Sequence, residues 1–438
     1  MTASAANVKG VLEQEAEPPL CVKTHNSEDE EPPPKRVTFI KSKFFNHIPE
    51  KLWNDWKWHF KNRVTTVDQL ASFIPLSAKE RAQLELVVTK YPLSITPHYL
   101  SLINLDDPED PIKKQAVPSF QEITLADMGE EDPLAEERDS VVPGLVHRYP
   151  DRVLMVLTDI CPMFCRHCTR KREWKHGGWM RTDGQIEHML GYIRGNHKVR
   201  DVVISGGDPL TLSTSRLEWV ISRLREIEHV EIIRIGSRYP VVLPQRIDAE
   251  LCNMLSKYGP IWLNTHFNHP NEITPESIKA CDRLLRAGVP VNNQTVLLRG
   301  INDTVETQLA LTHALLKAKV RPYYLFQCDE VQGTEHLRTP VETGLNIIQG
   351  MRGFTSGLAV PTFVIDLPGG GGKVSLQPDY VLSRTNDHLV IRNYEGKLFK
   401  FRDPRPQETE DGVVVEVRTL KSEPVEAVAD EDRALVRS

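Results

Sequence analysis

Three cysteines, Cys161, Cys165 and Cys168, fall within eight residues of one another. Thiolates so spaced converge on a single loop. A structural zinc site takes four ligands, commonly as two pairs, and no fourth cysteine lies nearby. An iron–sulfur cubane on three thiolates leaves one iron open to bind and reduce an outside molecule, whereas electron-carrier clusters normally take four cysteines. A second chemical signal is Pro368-Gly-Gly-Gly-Gly-Lys373. A nucleotide-binding loop would need Ser or Thr after the lysine and then a helix; Val374 and the nearby Pro378 reject it. Glycine amides let an anion approach the backbone closely. A lysine beside them suits a Schiff base with pyridoxal phosphate. The residues alone leave a flexible surface loop as an equal alternative.

The chain around these residues has 438 residues, 40% of them hydrophobic, enough for one large catalytic domain with appended segments. With 54 basic and 60 acidic residues the net charge is −6, and no basic stripe suggests nucleic acid as a partner. No apolar run approaches the roughly 18 residues of a membrane span. There is no leader-like N-terminus, so the chain is expected to be cytoplasmic. Seven cysteines, an odd number, argue against a disulfide framework. Cys21, Cys252, Cys281 and Cys328 read as small buried hydrophobes.

The positioning elements follow from pattern. Residues 1–36 are charged and proline-rich without hydrophobic periodicity, and are expected to form a disordered tail. Residues 37–140 form an N-terminal helical region followed by a wrapping loop. Thr66 with Gln69 and Ser77 with Glu80 predict capping boxes, and Thr96-Pro97 predicts an N-cap. The aromatic cluster Trp53, Trp56, Trp58 and Phe60 is expected to pack rather than bind a ligand. The acidic, proline-rich stretch 106–140 is expected to wrap a surface. From 152, apolar runs at 152–160, 199–206, 230–238, 260–267, 290–298 and 320–328 alternate with helical patterns. That rhythm predicts parallel strands with right-handed crossovers, an α/β fold built as a partial (β/α)6 barrel over 141–375. In such barrels chemistry gathers at the C-terminal strand ends; Cys161, Gly206, His266 and Asp329 fall there. A run at 360–365 leads to the tetraglycine. Residues 376–438 form a C-terminal extension with a hairpin around Glu395-Gly396, and its last twenty or so residues are expected to be mobile.

The cysteine spacing resembles the radical S-adenosylmethionine superfamily, and Ser205-Gly206-Gly207-Asp208-Pro209 after the second strand resembles that family's glycine-rich motif. The resemblance implies that the open iron binds S-adenosylmethionine, that Gly206, Gly207 and Asp208 contact its amino group, and that reductive cleavage yields a 5′-deoxyadenosyl radical. More narrowly, the chain resembles the lysine 2,3-aminomutase family from about Trp53 to Arg402. The stretches that carry it are Trp53-Asn-Asp-Trp56, Pro143 through Arg152, the cysteine loop through Arg170, Ile235-Gly-Ser-Arg238, Leu263 through Pro270 and Asp366 through Lys373.

This second resemblance implies pyridoxal phosphate on Lys373, with Arg148 and Arg152 near its phosphate. It implies His266 and Gln294 around S-adenosylmethionine, Arg170 on the substrate carboxylate, and Asp329 with Asp366 on a distal ammonium. Two neighbouring carboxylates repel unless a cation sits between them, so an amino acid with a cationic side chain is the expected substrate. The implied reaction moves the amino group of L-lysine from carbon 2 to carbon 3. It implies a reductant such as flavodoxin or ferredoxin, and a homo-oligomer. Arginine as substrate is the alternative, and a non-catalytic iron–sulfur scaffold or electron carrier is the rival of another class. Zinc is not expected, because no cysteine follows Cys328 and Thr304 stands at an earlier zinc-cysteine position.

Overall fold

The computed structural model describes residues 41–385 and 387–403. The tail at 1–36, Cys21 and the final twenty residues lie outside them. Short helices come first, and their starts are chemically marked. Thr66 and Ser77 each accept from the backbone N–H three residues on, while Gln69 and Glu80 reach back to the cap. Thr96 caps the helix Pro97–Leu100. The aromatic cluster packs as expected: Trp53 is buried against Phe45, Trp58 and His59.

One ten-stranded sheet follows, its strands adjacent in chain order. β1 (Ser140–Val142) and β2 (Leu145–Tyr149) are antiparallel and lead into β3 (Arg152–Val156). From β3 the sheet runs parallel through β4 (Asp201–Ser205), β5 (Ile232–Gly236), β6 (Ile261–Thr265), β7 (Val291–Leu297), β8 (Arg321–Gln327) and β9 (Thr362–Leu367). The parallel set therefore has a seventh strand beyond the six expected. The helix Val341–Met351, absent from the sequence reading, is the crossover that lets β9 join β8 in parallel. β10 (Gly372–Ser375) folds back antiparallel on β9.

The sheet stays open but curls. The Lys373 N–H on β10 donates to the Tyr149 hydroxyl at the end of β2 (2.8 Å), and Arg138 donates to the Gly369 carbonyl (2.9 Å). Groups at the last edge of the sheet thus reach groups near its first edge, as a partial barrel requires. The core lies between this sheet and its helices: helix-facing Val202, Ile204, Ile233, Ile235 and Leu263 pack with Leu217, Ile221, Leu251 and Leu284. β11 (Val381–Arg384), β12 (His388–Arg392) and β13 (Leu398–Arg402) form a separate antiparallel sheet containing the expected hairpin.

The stretch 106–140 differs from the expected wrapping loop. It carries the helices Pro111–Ala116 and Gln121–Thr124, and it sends Glu122 and Glu136 inward as buried carboxylates. Their partners are cations of the cysteine loop.

Candidate active site

A single cavity at the C-terminal strand ends is lined by Cys161, Cys165, Cys168, Arg170, Gly206, Gly207, Asp208, His266, Gln294, Asp329, Asp366 and Lys373. Twelve of the fourteen expected site residues are thus brought together from seven strands and the loops that follow them. Arg148 and Arg152 do not line it. Arg148 is held by Asp139 (2.9 Å) and by the Leu134 carbonyl, and the Arg152 guanidinium lies over the Tyr149 ring at 4.2 Å.

The cysteine loop begins where β3 stops at Val156, short of the expected 160. The Thr158 hydroxyl donates to the Trp179 carbonyl and accepts from the Ile160 N–H, which turns the chain out of the sheet. The glycines after β4 sit directly on this turn. A Cβ on Gly206 would lie 2.3 Å from the Thr158 carbonyl oxygen, and one on Gly207 would lie 2.5 Å from the Asp159 carbonyl. Only glycine permits that approach, and it sets the start of the cysteine loop. Asp208 finishes the same junction by accepting from Leu210 N–H, Arg238 N–H (2.8 Å) and the Ser237 hydroxyl. Its oxygens are spent on protein donors. Burial still pushes its carboxyl up to about 7 against those hydrogen bonds.

The three thiols face one space with no fourth cysteine lining it among the described residues. Burial, then the neighbouring carboxylates and thiols, pushes Cys161 well up; burial and Cys165 push Cys168 to about 11. Such thiols become thiolates when a metal supplies positive charge, so the donor set fits a cluster with one open iron. His266 directly follows the end of β6, and Gln294 lies in the middle of β7. A register shift between Asn293 and Gln294 re-aims the β7 side chains there. Burial and Arg238 depress the His266 imidazole to about 4, keeping it neutral.

Across the cavity lies the tetraglycine. It is a tight turn joining β9 to β10, with Gly369, Gly370 and Gly372 all at positive φ. The turn places Lys373 directly opposite Asp366 across the antiparallel pair. Lys373 Nζ meets both Asp366 oxygens at 2.8 and 2.7 Å and lies 4.1 Å from the Phe326 ring centre. Burial lowers its amine below the ordinary range despite Asp366. A half-buried lysine that gives up its proton more readily than one in water, beside a glycine turn, fits a carbonyl cofactor. Asp329, just past β8, accepts from the Thr169 hydroxyl (2.8 Å). Burial and then Asp366 push its carboxyl up to about 6.

Arg170 is not a surface arginine. Its Nε and Nη2 are gripped by Glu136 (2.9 and 2.6 Å), while Nη1 points toward Ser205 Oγ and the Gly206 carbonyl on the cavity wall. Glu136, Arg238, Thr169 and Tyr149 were not singled out from sequence. Each makes its contact with a residue far along the chain; Tyr149, Thr169 and Arg238 fall inside stretches that carry the family resemblance, and Glu136 falls outside them.

The parallel barrel with a cysteine loop after its first barrel strand and a glycine junction after its second defines a class, the radical S-adenosylmethionine enzymes. Residues 155–308 match the profile of the radical SAM superfamily, and residues 348–429 match that of lysine-2,3-aminomutase. The chain is 52% identical over 365 residues to the L-lysine 2,3-aminomutase of Acetoanaerobium sticklandii, covering 83% of this chain and 88% of that protein. It is 53% identical over 360 residues to that of Clostridium subterminale, covering 82% and 86%. A glutamate 2,3-aminomutase of Clostridioides difficile is 45% identical over 355 residues, covering 81% and 84%. The chain belongs to the lysine 2,3-aminomutase family and is an isomerase. Membership implies a [4Fe–4S] cluster and S-adenosylmethionine. No helix among the described residues is long and apolar enough to cross a membrane.

Proposed function

We propose that the chain interconverts L-lysine and L-β-lysine, with the cluster on Cys161, Cys165 and Cys168 and with pyridoxal phosphate on Lys373. The observation that carries the substrate assignment is the pair Asp329 and Asp366 on one cavity wall, with Lys373 as their nearby cation. A relative named for glutamate acts on a distal carboxylate, which these two aspartates would repel. When bound, the cofactors supply a deoxyadenosyl radical and a π-system that carries the migrating nitrogen.

The chain's own residues do the rest. Arg170 offers Nη1 to the substrate carboxylate while Glu136 fixes the plane of its fork. Lys373 would hold the cofactor through its amine, and with that amine no longer on Asp366 the aspartate pair would be free to take the distal ammonium of the substrate. The walls contributed by Leu154, Met163, Val203, Val296 and Phe326 exclude water from the radical. A dedicated reductant must supply the electron, and the family resemblance supports assembly with further copies of the chain.

The test is kinetics of Asp329→Ala and Asp366→Ala on lysine, arginine and glutamate in the reconstituted anaerobic enzyme. A charge-assisted hydrogen bond is worth about 1.5–3 kcal/mol, so each variant should raise KM for lysine on the order of tenfold or more. The pH profile gives the sign independently. Asp329 binds a cation only when ionised, and its carboxyl sits at about 6. The parent's kcat/KM for lysine should therefore fall as pH drops through about 6, and Asp329→Asn should lose that limb. Unchanged lysine turnover in both alanine variants would send the search for a substrate outside the basic amino acids. Borohydride should trap the cofactor on Lys373; trapping on another lysine overturns the Schiff-base assignment.

A further inference from the structure

Arg238 follows β5 and is almost wholly buried, at 8% side-chain exposure. Its donors are all assigned. The backbone N–H goes to Asp208 (2.8 Å) and Nε to the His266 carbonyl (3.0 Å). Nη2 goes to Gln115 (2.6 Å) and to Glu272 (2.7 Å), with the Tyr99 hydroxyl at 3.5 Å. Glu272 is itself fully buried and held by the Tyr99 hydroxyl and by the N–H groups of Asn268 and His269. These acceptors come from three separate parts of the fold and fix the guanidinium plane. The remaining nitrogen, Nη1, is thereby aimed at Cys165 Sγ, 2.8 Å away.

The other two cysteines have different surroundings. Cys168 receives only the weak backbone N–H of Arg170 at 3.4 Å, and Cys161 faces the carboxylates of Asp208 and Asp159. A cluster on this loop would feel a cationic donor at one sulfur and acidic groups at another. Hydrogen bonds to cluster sulfurs and local net charge are two of the levers that set reduction potential.

We infer that Arg238 is a redox-tuning and positioning residue: its Nη1–H bond to Cys165 raises the reduction potential of the cluster, and Glu272 limits how far. Donation withdraws electron density from the thiolate and stabilises the reduced state, which carries one more negative charge. Glu272 neutralises part of the arginine's charge, so the pair acts as a set point. The inference rests on the reading that Cys161, Cys165 and Cys168 hold the cluster.

The experiment is an electrochemical titration of the reconstituted holoenzyme followed by electron paramagnetic resonance, without S-adenosylmethionine. Arg238→Lys keeps a charge beside Glu272 but loses the fork that reaches Cys165. Its ratio of reduced to oxidised cluster at a fixed potential should fall about tenfold, which is about 59 mV for a one-electron couple. Arg238→Gln paired with Glu272→Gln should move the same way. Glu272→Gln alone keeps the Cys165 contact and removes the opposing charge, so its potential should rise. That variant stays readable even where the arginine variants take up iron poorly. Opposite shifts from the two partners cannot come from loosened packing alone. A parent protein that assembles no four-iron cluster overturns the cysteine assignment itself. A normal cluster whose potential stays put in Glu272→Gln and in Arg238→Lys overturns only the role given to Arg238.

Discussion

Two carboxylates from one short stretch, Glu122 and Glu136, grip the same cysteine loop in different surroundings. Glu122 holds Arg166 through both oxygens (2.9 and 2.5 Å) and Lys171 (2.8 Å), and all three are essentially without solvent contact. Arg166 also donates to the Pro92 and Tyr91 carbonyls, and Lys171 to the Arg166 and Gly333 carbonyls. Every donor there ends on protein. Glu136 holds Arg170 in a similar fork and Arg172 at 3.0 Å, but it lines the cavity, and Arg170 keeps 21% of its side chain exposed. The bonding pattern is the same; the difference is what the gripped cation has left over. In the dry clamp nothing remains, so it can only hold the loop. In the wet clamp one guanidinium nitrogen remains, and it faces the substrate space.

The dry clamp should show the largest effect. Burial alone would raise the Glu122 carboxyl, but Arg166 and Lys171 overturn this and hold it down at about 2. A depressed carboxylate contributes stability above its unfolded-state pKa and loses it as pH falls through the folded value. That contribution is therefore complete at neutral pH and lost toward pH 2. Glu122→Gln leaves two buried cations without a counter-charge and should cost about 3–5 kcal/mol. The thermal midpoint should drop by several degrees and iron uptake should fall, because Arg166 and Lys171 flank the cysteines. A midpoint within a degree of the parent would show that the clamp is not structural.

Glu136→Gln should separate from it in kind. Arg170 has solvent and the Ser205 and Gly206 oxygens as alternative partners, so the fold should survive with iron content unchanged. What is lost is the fixed plane of the guanidinium. KM for lysine should rise on the order of tenfold, since a misaimed charged hydrogen bond loses about 1.4 kcal/mol or more. The checks are steady-state kinetics beside a melting curve. If Glu136→Gln melts as early as Glu122→Gln, both clamps are structural and the comparison collapses.

Neither clamp was visible in the sequence. Arg166 lies 44 residues from Glu122 and Arg170 lies 34 from Glu136, and an acidic, proline-rich run gives no local sign of turning inward. The strand rhythm, the cysteine loop and the glycine junction were legible because each is a local pattern imposed by backbone sterics or by ligand spacing. The glycines at 206 and 207 carry that constraint in their lack of a Cβ. Lys373 stands out through its glycines and family likeness, yet its position opposite Asp366 depends on the β9–β10 register, where the sequence pattern shows only a strand and a loop. The basic run Arg170-Lys171-Arg172 shows the limit most sharply. Its composition suggests a solvated face, but Lys171 is 1% exposed and all three cations are paired inward.

The smallest effect is expected at a pair that resembles the wet clamp in geometry alone. Arg200 grips Glu231 through the same two-pronged arrangement, with Nε at 2.8 Å. Here both side chains are more than half exposed, 55% and 53%. Water solvates either partner almost as well when the other is removed, and salt screens what remains. Glu231→Gln should therefore leave the melting midpoint, iron content and lysine kinetics unresolved from the parent, at low and high salt alike. With Glu122→Gln and Glu136→Gln this makes a series in which bond lengths stay nearly constant and solvent access rises. If desolvation sets the value of each clamp, the cost must fall along that series. A midpoint loss at Glu231 comparable to that at Glu122 would mean that bond geometry, not burial, decides which carboxylates this fold depends on.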